Sequence, residues 1–322
     1  MVGSRQADRV KEVCPGAEVL ADPLAAIRHP AIDLVVIATP NDSHFPLAAA
    51  ALRAGKHVVV DKPFTVTHAE ARELATLASD LGRRLSVFQN RRWDSDFLGI
   101  RREIEAGSIG DVVELRSEMS RHRPEVRDRW RERAGSGSGI WYDLGPHLVD
   151  QVLVLFGPPE SVQADLQVQR RGASSIDWFH VTLGYPAARV ILMSSMLAAD
   201  VPTRFVVRGT RGSLTKQEGD RQEAELVQGR APSAPGWGSD PDPVILTDER
   251  GRRQLPAPDG RYQSFYTAAR DAIHSGGELP VTAAQATGLM AVLEAGIRSS
   301  AEGRMVTPAM SDAERSAWTS PR

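Results

Sequence analysis

The run Leu34-Val35-Val36-Ile37-Ala38-Thr39 is apolar without polar alternation, as in a strand buried on both faces. It ends in Pro40-Asn41-Asp42-Ser43-His44, a loop that carries helix-start residues. Residues 48–54 then read as a helix closed by Gly55, and His57-Val58-Val59-Val60 as a second buried strand running into Asp61-Lys62-Pro63. A helix over residues 69–81, closed by Gly82, leads to a strand over 85–88. Upstream, Val2-Gly3-Ser4-Arg5 reads as the end of a strand, with a helix over about residues 6–14. Strands alternating with helices across short turns predict parallel βαβ units with right-handed crossovers, a doubly wound sheet over residues 1–92.

From residue 93 the pattern changes. A helix is expected over 97–106 and an alternating strand over 111–119. Further strands follow at 161–169, 178–185, 188–196 and 204–207, which predicts a mostly antiparallel meander in a second α+β domain over 93–322. Residues 228–243, rich in Pro, Gly and Ser, read as a long surface loop. Helices at 262–275 and 283–302 close the chain, and the tail from Ser311 is expected to fray.

Three features carry candidate chemistry. In open α/β sheets, ligands bind beyond the carboxyl ends of the strands, where Thr39-Pro40-Asn41, Lys62-Pro63 and Gln89-Asn90 fall. Lys62 reads either as a solvated surface lysine or as a functional group fixed at a strand end by Pro63. Second, Gly135 to Gln151 reads G-S-G-S-G-I-W-Y-D-L-G-P-H-L-V-D-Q: Pro146 suits the first turn of a helix whose apolar pattern runs to Phe156. That places Asp143 and His147 at the helix mouth, where an imidazole is biased toward its neutral form and suits a general base. The alternative is an aspartate N-cap beside a core-edge histidine. Third, the arginine-dense stretch 121–133, with Trp130 inside it, reads either as an anion-binding loop or as a solvated, salt-bridged face, the commoner arrangement.

Composition narrows the field. The 322 residues are 41% hydrophobic and 25% charged, with a formal net charge of −2, which gives no electrostatic case for nucleic acid or an anionic membrane. Cys14 is the single cysteine, which excludes an intramolecular disulfide framework and a multi-cysteine zinc site. No apolar run approaches the ~20 residues of a membrane span. No signal peptide is visible, and a cytoplasmic setting is expected.

With these elements placed, the chain resembles the Gfo/Idh/MocA family of sugar and inositol dehydrogenases, through A-T-P-N-D-S-H at 38–44, G-K-H-V-V-V-D-K-P at 55–63 and G-I-W-Y-D-L-G-P-H-L-V-D at 139–150. Within the family it is similar to the NADP-dependent scyllo-inositol 2-dehydrogenase branch, through Q-N-R-R-W-D at 89–94, R-H-R-P-E-V at 121–126, W-R-E at 130–132, D-W-F-H at 177–180 and E-L-P-V-T-A at 278–283. The resemblance implies a partial Rossmann sheet followed by a larger mixed or antiparallel-sheet substrate domain. It implies hydride transfer between NADP(H), with NAD as the alternative, and a cyclic polyol or sugar. Lys62, Asp143 and His147 would be the catalytic and substrate-binding trio, with Arg123 and Trp130 also on the substrate. His147 would relay the hydroxyl proton, Asp143 would position it, and Lys62 would bond the reacting oxygen and hold His147 neutral. Ser4, Arg5, Thr39, Pro40, Asn41, His44, Asp61, Lys62 and Asn90 would bind the cofactor, with Ser4 and Arg5 suiting a 2′-phosphate. A homodimer or homotetramer through the second-domain sheet is expected, and a metal site from Asp143, His147 and Asp150 is not. One departure stands out: the family's first strand and its G-x-G-x-x-G loop, of order 30 residues, have no counterpart, and Val2-Gly3-Ser4-Arg5 matches the end of the second strand. The expectation is a start assigned too late; the alternative is a cofactor-impaired, ligand-sensing or regulatory member of the same fold.

Overall fold

The computed structural model describes residues 1–318. The chain opens with β1 (Val2–Gly3), α1 (Ala7–Val13), β2 (Val19–Leu20) and α2 (Pro23–Arg28). It continues through β3 (Leu34–Ile37), α3 (His44–Arg53), β4 (His57–Val60), α4 (His68–Asp80) and β5 (Leu85–Val87). All pairings here are parallel, but they form two separate sheets, β1-β2 and β3-β4-β5. β1 and β3 do not pair; an apolar cavity of about 120 Å³, walled by Gly3, Pro23, Ile27, Leu34 and Ile37, lies between them. This corrects the expectation of a strand buried on both faces at 34–39: with one edge and part of one face open to the groove, Val36 is 48% exposed and only Ile37 is fully buried. β4, flanked by partners on both sides, has Val58, Val59 and Val60 buried as its apolar run predicts.

The rest of the chain comprises α5 (Ser95–Glu105), β6 (Val112–Glu118), α6 (Gly139–Asp143), α7 (Gly145–Phe156), β7 (Ser161–Gln167), β8 (Trp178–Gly184), β9 (Arg189–Ser195), β10 (Phe205–Gly209) and β11 (Gly212–Lys216). Then come α8 (Gln222–Val227), β12 (Val244–Asp248), β13 (Gly251–Leu255), α9 (Gln263–Ser275), α10 (Ala283–Glu302) and α11 (Asp312–Ser316). Eight strands form one sheet in the order β13-β12-β11-β10-β6-β9-β8-β7. It is mixed rather than a simple meander, because β6 pairs parallel with β9 while the other pairings are antiparallel.

Alternation along β8 and β9 puts Phe179, Val181, Leu183, Val190 and Leu192 into a core covered by α7 and α10. α10 also packs on α4 and β5, so a helix late in the chain seals the parallel sheet to the mixed one. The expectation of a frayed tail from Ser311 is corrected for residues 311–318, where α11 carries a capping box between Ser311 and Glu314 and Trp318 is buried; residues 319–322 lie outside the described residues. Among the described residues, no helix is long and apolar enough to cross a membrane.

Candidate active site

The stretch around 139–147 folds as two short helical pieces rather than one helix mouth, and each residue of α6 is tied to a different neighbour. Gly139 has φ +82°, and a side chain there would meet the Ile176 backbone at 2.7 Å, so glycine is required where the Ile140 N–H bonds the Ile176 carbonyl. Trp141 is fully buried; its Nε1 donates to the Leu293 carbonyl of α10, and its ring lies over Gly296. The Tyr142 hydroxyl donates to the Val66 carbonyl in the loop after β4. With residues 141 and 142 held this way, Asp143 ends α6 and faces Lys62, at the carboxyl end of β4. Asp143 therefore does not cap α7, whose N-cap is Leu144 and whose first turn holds Pro146 and His147.

Lys62 Nζ donates to Asp143 Oδ1 at 2.8 Å and to the Asp143 backbone carbonyl at 2.5 Å. Lys62, Asp143 and His147 all line one cavity of about 400 Å³, within the size range of small-molecule sites. Burial alone would raise the Asp143 carboxyl; the Lys62 ammonium overrides it, helped by Arg131 and Arg121, and holds the carboxyl well below the usual range. His147 is buried, and its Nδ1 is sealed from solvent without a partner. Desolvation, then the charges of Lys62, Arg91, Arg204 and Arg121, push its pKa well below the ordinary histidine value, so the imidazole is neutral at pH 7. The arrangement is an ammonium fixed by a carboxylate beside a neutral imidazole in a shielded polar cavity. It can donate a hydrogen bond to a substrate oxygen and accept its proton.

The other sequence-predicted residues scatter. Asp61, Asn90 and Arg123 line the same cavity. Asn41 is buried, with its amide donating to the Gly137 carbonyl. His44 is fully buried, and its two ring nitrogens engage the carbonyls of Pro63 and Thr39; it braces the turn after β3. Thr39 bonds Ser43, which in turn bonds the Pro40 carbonyl. Ser4 and Arg5 lie at the end of β1 and not on this cavity. Trp130 is also off the cavity, its ring backing the Arg131 guanidinium at 4.6 Å. Asp150 is taken by a bidentate bond to Arg92, and no His/Cys/Asp/Glu cluster able to hold a metal occurs among the described residues. Phe88, Arg91, Arg170 and Glu223 also line the cavity; Arg91 falls within the Q-N-R-R-W-D motif, which does not single it out from Arg92, and the other three are brought there by tertiary folding with no local motif to mark them.

Residues 2–89 match the NAD-binding Rossmann fold of the GFO_IDH_MocA oxidoreductase family, and residues 101–307 match its C-terminal alpha/beta domain. The chain belongs to the Gfo/Idh/MocA family. Its relatives include the oxidoreductase YdgJ of Escherichia coli (strain K12), 50% identical over 93% of this chain and 88% of that protein. They include scyllo-inositol 2-dehydrogenase (NADP(+)) IolW of Bacillus subtilis (strain 168), 38% identical over 93% of this chain and 85% of that protein. A crystal structure of an oxidoreductase from Klebsiella pneumoniae superposes with a TM-score of 0.92 at 47% identity, covering 98% of this chain and 89% of that one. The family assignment carries a parallel nucleotide-binding sheet and a nicotinamide cofactor with it.

Proposed function

We propose that this family member transfers a hydride between NADP(H) and a ring carbon of a cyclic polyol or sugar, interconverting CH–OH and C=O. The observation that carries the reading is the Lys62–Asp143 ion pair beside a neutral His147 in one cavity. The carboxyl ends of β4 and β5 bring Asp61, Lys62, Phe88 and Asn90 to that cavity, a donor set that fits the reacting end of a nicotinamide coenzyme. In this reading Thr39, Pro40, Asn41, Asp61 and Asn90 hold the coenzyme along the strand ends, and Ser4 and Arg5 at the end of β1 meet its 2′-phosphate. The bound coenzyme supplies the hydride chemistry. Lys62 donates to the reacting oxygen and stabilises the charge that develops there. His147 takes the hydroxyl proton in the oxidising direction and returns it in the reducing one. Asp143 fixes the Lys62 ammonium and binds the substrate beside it. The likeness to IolW supports an inositol-like substrate and NADP(H). Half-exposed Ile191 and Met193 on the outer face of the mixed sheet support self-association there.

A second reading, a cofactor-impaired sensor on the same fold, is favoured by the break between β1 and β3. One assay separates the two: absorbance of the reduced nicotinamide, followed as it appears with NADP or NAD and scyllo-inositol or a panel of aldoses, and as it disappears with NADPH or NADH and the ketone of scyllo-inositol. Turnover that is faster with the phosphorylated coenzyme supports the dehydrogenase. Binding of a polyol without turnover by either coenzyme supports the sensor.

A further inference from the structure

The chain carries a net charge of −2, yet its catalytic cavity is strongly basic: eight cationic side chains line it against four carboxylates. Most of those cations have partners. Arg170 is clamped by Asp177 and Glu132, Arg129 by Glu132, Arg91 by Asp94 and Glu223, and Arg131 lies between Asp143 and the Trp130 ring. Arg121, Arg123 and Arg127 do not: among the described residues their guanidinium groups have no hydrogen bond or ion pair, although all three line the cavity.

Their backbone is nevertheless held. The N–H groups of Arg121 and Arg123 bond the carbonyls of Ser195 and Met196 at the end of β9. In an extended segment, alternate residues share a side, so 121 and 123 present one face and exposed His122 the other. Arg170, itself 2% exposed, donates from Nη1 to the carbonyls of Arg123 and Glu125 and braces the loop from beneath. Three forks of donors on a backbone held in place, gathered against mutual repulsion and left without acceptors, form a receptor for an oxyanion. Burial, then the neighbouring arginines, already lower the Arg123 pKa, and an anion placed there opposes that shift.

We propose that the substrate of this cavity carries an anionic group, a carboxylate or a phosphate ester, held by Arg121, Arg123 and Arg127. This rests on the dehydrogenase reading for the reaction, but not for the binding. Neutral polyols occupy the cavity without satisfying these guanidinium groups; a uronate or a sugar phosphate satisfies them and sets the ring against Lys62 and His147.

The test is calorimetric titration of the 322-residue chain with D-glucose, D-glucuronate and D-glucose 6-phosphate, in low salt and at about 0.3 M salt, where exposed charges are largely screened. One anionic sugar is expected to bind about tenfold or more tighter than glucose, with the advantage shrinking in high salt. The tighter of the two tells carboxylate from phosphate. Arg121→Gln combined with Arg123→Gln abolishes the advantage; Arg252→Gln, on the exposed edge strand β13, leaves it intact. Equal binding of all three sugars overturns the inference. So does a double variant that weakens NADPH while leaving the anionic sugar untouched, since the arginines would then serve the coenzyme. Arginine-dependent binding of an anionic sugar that neither NADP nor NAD oxidises leaves this inference standing and removes the dehydrogenase reading.

Discussion

Lys62 and Asp143 are 2.8 Å apart, and the consequence of removing either depends on what the other is left facing. Lys62→Ala leaves Asp143 without the ammonium that offsets its burial and, in the proposed reaction, removes the donor to the reacting oxygen. Turnover is expected to fall on the order of 10²-fold or more, with a smaller change in substrate affinity; steady-state kinetics showing an unchanged kcat would remove Lys62 from the chemistry. His147 provides a readout independent of turnover. Its pKa is depressed, so it stays neutral as pH falls through the ordinary histidine value of 6.5 and protonates only below it. A base must be neutral, so the acidic limb of alcohol oxidation belongs below pH 6.5. Because Lys62 supplies part of the depression after burial itself, Lys62→Met is expected to move the His147 titration upward. Carbon-proton NMR of the His147 ring checks this; an unmoved midpoint would show that the two groups do not sense one another. The sequence places Lys62 at a strand end because Pro63 closes an apolar run, and His147 in a first helical turn because Pro146 precedes one, but no neighbour of Asp143 signals that it meets Lys62 across the fold. Trp130 lies off the cavity and backs Arg131, a placement that W-R-E does not signal, since nothing in it distinguishes an aromatic that meets a ligand from one that backs an arginine.

At the scale of elements, long uniform runs were legible and short mixed ones were not. β4 and α7 came through because their apolar patterns have few alternatives. β11 (G-S-L-T-K), β12 (V-I-L-T-D) and β13 (G-R-R-Q-L) did not, since they owe their strand state to pairing from β10 outward rather than to local pattern. α11 shows the same lesson: five residues with no apolar face are held by a capping box and by Glu314. That carboxylate accepts from Arg72 Nε at 2.7 Å and from the Ser311 N–H at 2.7 Å, and lies 3.2 Å from His68 Nε2. Burial would raise its pKa, but the Arg72 and Ser311 hydrogen bonds and the nearby His68 bring it down to about 2. A depressed carboxyl stabilises the fold above its unfolded pKa of 4.5, and that contribution drains as pH falls toward 2. Glu314→Gln is expected to cost about 1–2 kcal/mol at pH 7, because half-exposed Arg72 regains water while the capping box weakens. Urea midpoints of the two proteins should converge between pH 4.5 and 2; a difference that is constant with pH would show that the charge of Glu314 contributes nothing.

Stability is distributed unevenly over the molecule, and the sheet break determines where it is low. From β4 onward the core is continuous, with α10 touching both sheets and Trp141, Phe179 and Leu293 fully buried near the site. The first 33 residues share little of this. β1 and β2 are two residues each, α1 has no buried residue, and Ile27 is the single fully buried apolar side chain of α2. This segment meets the rest through α2 against α3 and across the apolar groove beside β3. A two-stranded pair of this length is marginal by itself, and local opening follows the lowest contact density. Amides of β1 to α2 are therefore expected to exchange on the order of 100-fold faster than those of β4, β8 and β9, corresponding to an opening about 3 kcal/mol less costly. Hydrogen-exchange mass spectrometry at neutral pH measures this directly. Because the expected 2′-phosphate contacts, Ser4 and Arg5, lie in this segment, NADPH should protect these amides more than NADH does. Protection equal to that of β4 in the free protein would show that the two parallel sheets are coupled despite the gap between them.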